Sequence, residues 1–207
     1  MARREGSRGG GCPGLRPLEV YALLHLERAG VDYALSLAKA ARIPLEQAMK
    51  ALEALEEKGL AERRSHGSAL KNTEAKMKLS REVRKHHTYY TLTREGRRLA
   101  RMIRHGLLED CIDQAVGHGA SALLRTLSRA GYEHAETLAR ITGIPLHEAI
   151  SLLDALEEEG LVKAERPKTI KASKRRAKPK RETRAHHRYY HATRLAELLL
   201  RAARSRS

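Results

Sequence analysis

The chain repeats itself. Ala29-Gly30 returns as Ala130-Gly131 and Ile43-Pro44-Leu45 as Ile144-Pro145-Leu146, both at an offset of 101 residues. At the same offset, Leu52-Glu53-Ala54-Leu55-Glu56-Glu57-Lys58-Gly59-Leu60 returns as Leu153-Asp154-Ala155-Leu156-Glu157-Glu158-Glu159-Gly160-Leu161. A further block, Arg84-Lys85-His86-His87-Thr88-Tyr89-Tyr90-Thr91-Leu92-Thr93, returns as Arg184-Ala185-His186-His187-Arg188-Tyr189-Tyr190-His191-Ala192-Thr193, now at an offset of 100. Self-similarity at a fixed period marks a repeated supersecondary unit, so both copies must adopt one fold. The lost residue falls in the polar run between the blocks, where a surface loop absorbs a change of length.

Each copy reads helix, helix, helix, strand, basic loop, strand, helix. Leu18, Leu23, Leu24 and Leu26 give the first helix an apolar side, and Gly30 ends it. Ala34, Leu37, Ala38 and Ala41 mark a short second helix. Pro44 opens the third, where proline suits the first position. Its apolar stripe is Leu45, Ala48, Met49, Leu52 and Leu55, and Gly59 stops it. A strand starts over 60–64 and another returns over 86–91, after which Thr93 can cap the last helix. The second copy places helices near 119–130, 134–142 and 145–159, and strands near 161–166 and 186–192. Arg94 to Val116 joins the copies as a helix interrupted at Gly106. In the returning strand, side chains alternate between faces. Leu92 and Tyr90 then point inward, and Tyr89 and Tyr189 are candidates for the outward face.

This order is that of a winged helix-turn-helix, mainly α with small β-wings, present in tandem. The expected division is a flexible basic tail over 1–16, domains over 17–105 and 118–204, a linker over 106–117 and a tail over 205–207. His87-Thr88-Tyr89-Tyr90-Thr91-Leu92-Thr93-Arg94-Glu95-Gly96 resembles the closing strand of an archaeal winged-helix family of uncharacterised function. The second copy departs from the pattern, with His191 and Ala192 in place of Thr-Leu and no glycine after Arg194. The resemblance implies the fold more firmly than the task.

Charge separates sharply along each copy. The third helices are acidic: Glu46, Glu53, Glu56 and Glu57 outnumber Lys50 and Lys58, while Glu148, Asp154, Glu157, Glu158 and Glu159 face no Lys or Arg over 145–159. A helix that reads a DNA major groove presents Arg, Lys, Asn or Gln, and here only Gln47 and Lys50, or His147 and Ser151, stand near the start. The cations lie instead in the wings. The first holds Arg63, Arg64, Lys71, Lys76, Lys78, Arg81, Arg84 and Lys85. The second holds Lys163, Arg166, Lys168, Lys171, Lys174, Arg175, Arg176, Lys178, Lys180, Arg181, Arg184 and Arg188. A basic run is often a solvated surface, but two runs at matching places are the footprint of a polyanion. A net charge of +16 points the same way. Tyr89 and Tyr189 beside these runs suit stacking on a base, though strand propensity alone also places tyrosine there.

Other classes find little support. No apolar run is long enough for a membrane span, and the N-terminus lacks the apolar core of a signal peptide. Cys12 and Cys111 make neither a disulfide framework nor a metal spacing, which fits a reducing cytoplasm. The pairs His86-His87 and His186-His187 point to opposite strand faces and do not chelate together. There is no nucleophile–base motif and no phosphate-cradling glycine loop, so no enzyme and no cofactor are expected. Few amides and 32% charged residues resemble a hyperthermophile's composition. The expectation is a non-catalytic protein bound to the backbone of structured RNA, such as the ribosome's. A DNA-binding regulator or chromatin-type protein is the alternative, and the acidic third helices offer a docking face for ribosomal or other proteins.

Overall fold

The computed structural model describes residues 12, 14–64, 88–165, 170–172, 175–177 and 188–204. Its first repeat runs α1 (Pro17–Ala29), β1 (Val31–Tyr33), α2 (Ala34–Ala41), α3 (Leu45–Glu57), β2 (Ala61–Arg64), β3 (Tyr89–Leu92) and α4 (Arg94–Met102). After a kink over Ile103–Leu107 comes α5 (Leu108–Val116). The second repeat runs α6 (Ala120–Ala130), β4 (Tyr132–His134), α7 (Ala135–Thr142), α8 (Leu146–Glu158), β5 (Val162–Glu165), β8 (Tyr189–Ala192) and α9 (Arg194–Arg204). Between β5 and β8 lies a short antiparallel pair, β6 (Ile170–Ala172) and β7 (Arg175–Ala177), which the sequence reading did not anticipate. The protein is thus mainly helical, with a small antiparallel three-stranded sheet in each of two repeats.

Each sheet has its returning strand in the centre. β3 pairs with β1 (Asp32 opposite Tyr90) and with β2 (Arg63 opposite Tyr90). β8 pairs in the same way with β4 and β5. Tyr90, Leu92 and Tyr190 face the helices and are buried, as alternation requires. The strands β1 and β4 are three residues long and escaped the sequence reading.

The helices pack around α1. It is buried on nearly every side through Val20, Tyr21, Ala22, Leu23, Leu24 and Leu26, as befits a central helix. Pro17 opens it, and Glu19 accepts a hydrogen bond from the Arg16 backbone N–H at 3.2 Å. α1 touches α3 and α4 of its own repeat, the connecting helix α5, and α9 of the other repeat. The two repeats therefore share one continuous apolar core. Ahead of α1, Cys12 and Leu15 are also buried, within the stretch read as tail.

Two expectations are corrected. Cys12 and Cys111 form a disulfide, which ties the segment before α1 to α5, so the cysteines no longer argue for a reducing compartment. The apolar stripe on α3 is also narrower than expected. Ala48, Ala51, Leu52 and Leu55 are buried, but Leu45 and Met49 are each 44% exposed, as are Leu146 (46%) and Ile150 (39%) on α8.

Local devices hold the strand ends. Thr93 accepts a hydrogen bond from the Gly96 N–H at 3.1 Å and donates its hydroxyl to the Gly59 carbonyl at 2.8 Å. This caps α4 and pins it to the turn after α3. A Cβ on Gly96 would lie 2.0 Å from the Leu60 carbonyl oxygen, so this helix start approaches the backbone more closely than any side chain permits. The second repeat carries Ala196 at the matching place, and its N–H lies 3.4 Å from Thr193. Gly96→Ala should therefore cost about 1–3 kcal/mol, typical of overpacking. Urea denaturation checks this, and an unchanged midpoint would contradict the close approach. The kink between repeats is explained by Gly106, whose φ of 131° and ψ of −8° suit glycine.

A buried carboxylate organises the first repeat. Asp32 Oδ2 accepts from the Ser36 hydroxyl at 2.7 Å and lies 2.8 Å from His25 Nε2, while Oδ1 accepts from the Tyr33 N–H at 2.9 Å. Burial pushes this carboxyl up, but the bonds from His25, Ser36 and Tyr33 outweigh it and hold it below its usual value. A carboxylate depressed in the folded state stabilises fully above its unfolded pKa, and that share is lost as pH falls through the folded value. Asp32→Asn should cost about 1–3 kcal/mol at neutral pH and reduce the acid sensitivity below about pH 4. Denaturation midpoints at pH 7 and pH 3 test both parts. A variant with the wild-type pH profile would contradict this account.

Candidate nucleic-acid interface

Arg63 and Arg188 sit where the sheets meet the third helices. Arg63 on β2 reaches Glu56 of α3 at 2.7 Å, with its guanidinium 5.9 Å from the centre of the Tyr90 ring. In the second repeat the position matching Arg63 is Ala164, and the arginine comes from the approach to the neighbouring strand instead. Arg188, just before β8, reaches Asp154 at 3.1 Å and Glu157 at 2.9 Å, and lies 5.6 Å from the centre of the Tyr190 ring. Two different positions, one on a flanking strand and one just before the central strand, thus supply one guanidinium to one place. Each joins sheet, tyrosine and third helix by charge and cation–π attraction. Burial raises the Tyr90 and Tyr190 hydroxyls above their usual value, against the lowering pull of Arg63 and Arg188.

Two further cations on the flanking strands are paired too. Arg64 meets Glu62 at 2.9 Å and Lys163 meets Glu165 at 3.0 Å. Lys171 lies on β6, and Arg175 and Arg176 on β7, with Lys171 opposite Arg176 in the register. Lys71, Lys76, Lys78, Arg81, Arg84, Lys85, Arg166, Lys168, Lys174, Lys178, Lys180, Arg181 and Arg184 lie outside the described residues, as do both His-His pairs.

The acidic ends of the third helices dock on protein. Besides holding Arg188, Glu157 accepts the Ala164 N–H at 3.0 Å, and Glu159 pairs with Arg16 at 3.0 Å across the two repeats. A cleft of about 620 Å³ opens between them. Gln47 and Lys50 of α3 form one wall, and Glu157, Glu158 and Glu159 the other. Lys50 is further engaged by Glu46 at 2.7 Å. The residues at the start of α3 that resemble base readers therefore look onto three glutamates.

The tyrosines divide between the copies. Tyr89 does lie on the face opposite Tyr90, but it is only 4% exposed, packed edge-on against Tyr33 with ring centres 5.6 Å apart. Its expected outward exposure is corrected by that cover. Tyr189 is half-buried and stacks on His134 at 6.0 Å. Beside it His191 meets Tyr132 at 4.7 Å. Tyr132, His134 and His191 are not evident in the sequence as partners of Tyr189; the one signal is the match of Tyr132-Glu133-His134 to Val31-Asp32-Tyr33 at the repeat offset.

Among the described residues no three His, Cys, Asp or Glu side chains cluster as metal ligands do, and no helix is long and apolar enough to cross a membrane. No curated protein matches the chain. One family model matches it twice, over residues 15–103 and 115–203, the same two copies that the repeat offset defines. The chain belongs to that family, described as uncharacterized protein conserved in archaea (DUF2250).

Proposed function

We propose that this chain is a non-catalytic nucleic-acid-binding protein. It is built from two fused winged helix-turn-helix units and grips the backbone of structured RNA, such as ribosomal RNA, through its basic wings. One observation carries the reading: the surface of the third helices is apolar at the start and acidic at the end, and the runs of cations lie outside them. The start of each third helix exposes Leu45 and Met49, or Leu146 and Ile150, where a groove reader needs polar side chains. The ends carry glutamates that would repel phosphate. The cations concentrate over 163–188 and, more thinly, over 63–85, in segments joining adjacent strands. Structured RNA is recognised largely by shape and backbone, which needs no reading helix.

Arg63, Arg64, Lys163 and Arg188 are paired with carboxylates at the sheets, so they anchor the wing bases. Phosphate contact falls to the runs beyond them. The acidic helix ends are engaged by Arg16, Arg63 and Arg188, which leaves less charge for docking a protein partner. The order of helices and strands favours the second reading, a DNA-binding regulator or chromatin-type protein. Affinity capture of the full chain from an archaeal lysate, followed by selective nuclease digestion, separates the two. Release of the bound polymer by ribonuclease is the expected result. Release by deoxyribonuclease alone would install the second reading, and capture of no nucleic acid would remove both.

A further inference from the structure

The outer face of the second sheet carries four rings in two columns. β4 contributes Tyr132 and His134, and the central strand β8 contributes His191 and Tyr189. The register sets Tyr132 beside His191 and His134 beside Tyr189. Ring centres are 4.7 Å apart in the first pair, tilted by 34°, and 6.0 Å apart in the second, within 27° of parallel. All four side chains are partly exposed. Lys163 lies beside His191 on β5, and Glu165, which pairs with it, lies beside Tyr189. The most basic part of the sequence leaves this sheet after Glu165 and rejoins it at Arg188, at the edge nearest His134 and Tyr189.

The first sheet lacks this surface. Its matching positions are Val31, Tyr33, Tyr89 and Thr91. Two of the four are not aromatic, Tyr89 is 4% exposed, and the Thr91 hydroxyl is committed to the Gly30 carbonyl at 2.9 Å. The repeats share a fold, so the difference is specific to the second copy's side chains.

We propose that the outer face of the second sheet is a stacking platform for unpaired bases of a single-stranded RNA segment, formed by Tyr132, His134, Tyr189 and His191. This rests on the nucleic-acid reading above and adds the class of element recognised. Every base has a π-face, so stacking on such rings tolerates any sequence while a basic run tracks the backbone. Sheets that bind RNA in this way seat two or three bases on a few aromatic side chains. Two ring pairs match two bases. A blunt duplex has no unstacked base to offer and engages only the basic runs.

The test compares a 12-nucleotide uridine RNA with an abasic strand of equal phosphate number, binding each to the full-length protein. The wild type should favour the base-bearing strand by about tenfold or more. Tyr132→Leu with Tyr189→Leu keeps the apolar bulk of the sheet and removes two π-faces. It should abolish that preference while leaving affinity for the abasic strand unchanged, whereas Tyr33→Leu on the first sheet should leave the preference intact. Equal wild-type affinity for the two strands overturns the platform and leaves backbone-led binding standing. A double variant that keeps the preference overturns the platform as well. Failure to bind either strand at low salt overturns the platform together with the nucleic-acid reading.

Discussion

Reducing the bond between Cys12 and Cys111 should lower the free energy of unfolding by about 4–5 kcal/mol, the largest stability effect expected of any single change here. The two half-cystines are 99 residues apart in sequence, so the bond closes a loop around the whole first repeat. In the chain-entropy account, the loss of freedom in the unfolded chain grows with the logarithm of that length. Both side chains are buried, at 4% and 1% exposure, inside the core shared by the two repeats. The bond fixes the segment before α1 against α5, which itself packs on α1 and α6. A domain's net stability is only about 5–15 kcal/mol, so this is a large share of it. The melting temperature should fall by about 10–20 °C, from a shift of about 2–4 °C per kcal/mol for a chain of this size. Calorimetry of oxidised protein, of protein treated with a phosphine reductant, and of the Cys12→Ser, Cys111→Ser double variant measures it. Equal melting temperatures in all three, with two titratable thiols before reduction, would show that the bond does not form.

The largest effect on binding should come from the second basic run. Replacing Lys174, Arg175, Arg176, Lys178, Lys180 and Arg181 with Ala removes six cations from a segment with few carboxylates. Each phosphate neutralised releases counterions, and log affinity falls with log salt by about 0.7 per contact for a single strand and 0.9 for a duplex. If all six cations engage phosphate, the slope should flatten by about 4–5. Binding to all sequences should weaken alike, because phosphate contacts carry no sequence information. Titration across a range of salt concentrations reads the slope directly. An unchanged slope would place the contact elsewhere.

Much of the fold was legible because the repeat doubled every signal. Pro44 and Gly59 bounded α3, and Pro145 and Gly160 bounded α8 in the same way. The interruption at Gly106 was visible because glycine alone breaks the otherwise helical run from Arg94 to Val116. Features that depend on distant contacts were not legible. β1 is three residues with a central Asp, which no strand propensity favours, and it exists through pairing with β3 some sixty residues later. Once β1 is missing, so is Tyr33, and with it the reason Tyr89 is buried. The pairing of Cys12 with Cys111 is a fact of tertiary packing that spacing does not encode. On α3 the core-facing arc centres on Ala48, Ala51 and Leu55, and Leu45 and Met49 lie past its edge. Side-chain size suggested a broader stripe than the core takes up.

The candidate site was legible as charge and illegible as geometry. The basic runs are evident in composition. The exchange of Arg63 for Arg188 as the clamp on a buried tyrosine was not, because it requires knowing that β2 and β5 flank the returning strand. The ring block on the second sheet was hidden for the same reason: Tyr132 and His191 are far apart in sequence and meet only through the register of β4 and β8.

The central claim is that the wings, and not the third helices, touch nucleic acid. Photo-crosslinking of the full-length complex, with the crosslinked peptides mapped by mass spectrometry, tests it most directly. Crosslinks are expected within residues 63–89 and 163–189, with further sites at Tyr132 and His134. Crosslinks concentrated at residues 45–51 and 146–152, with few in the wings, would contradict it and restore a groove-reading regulator.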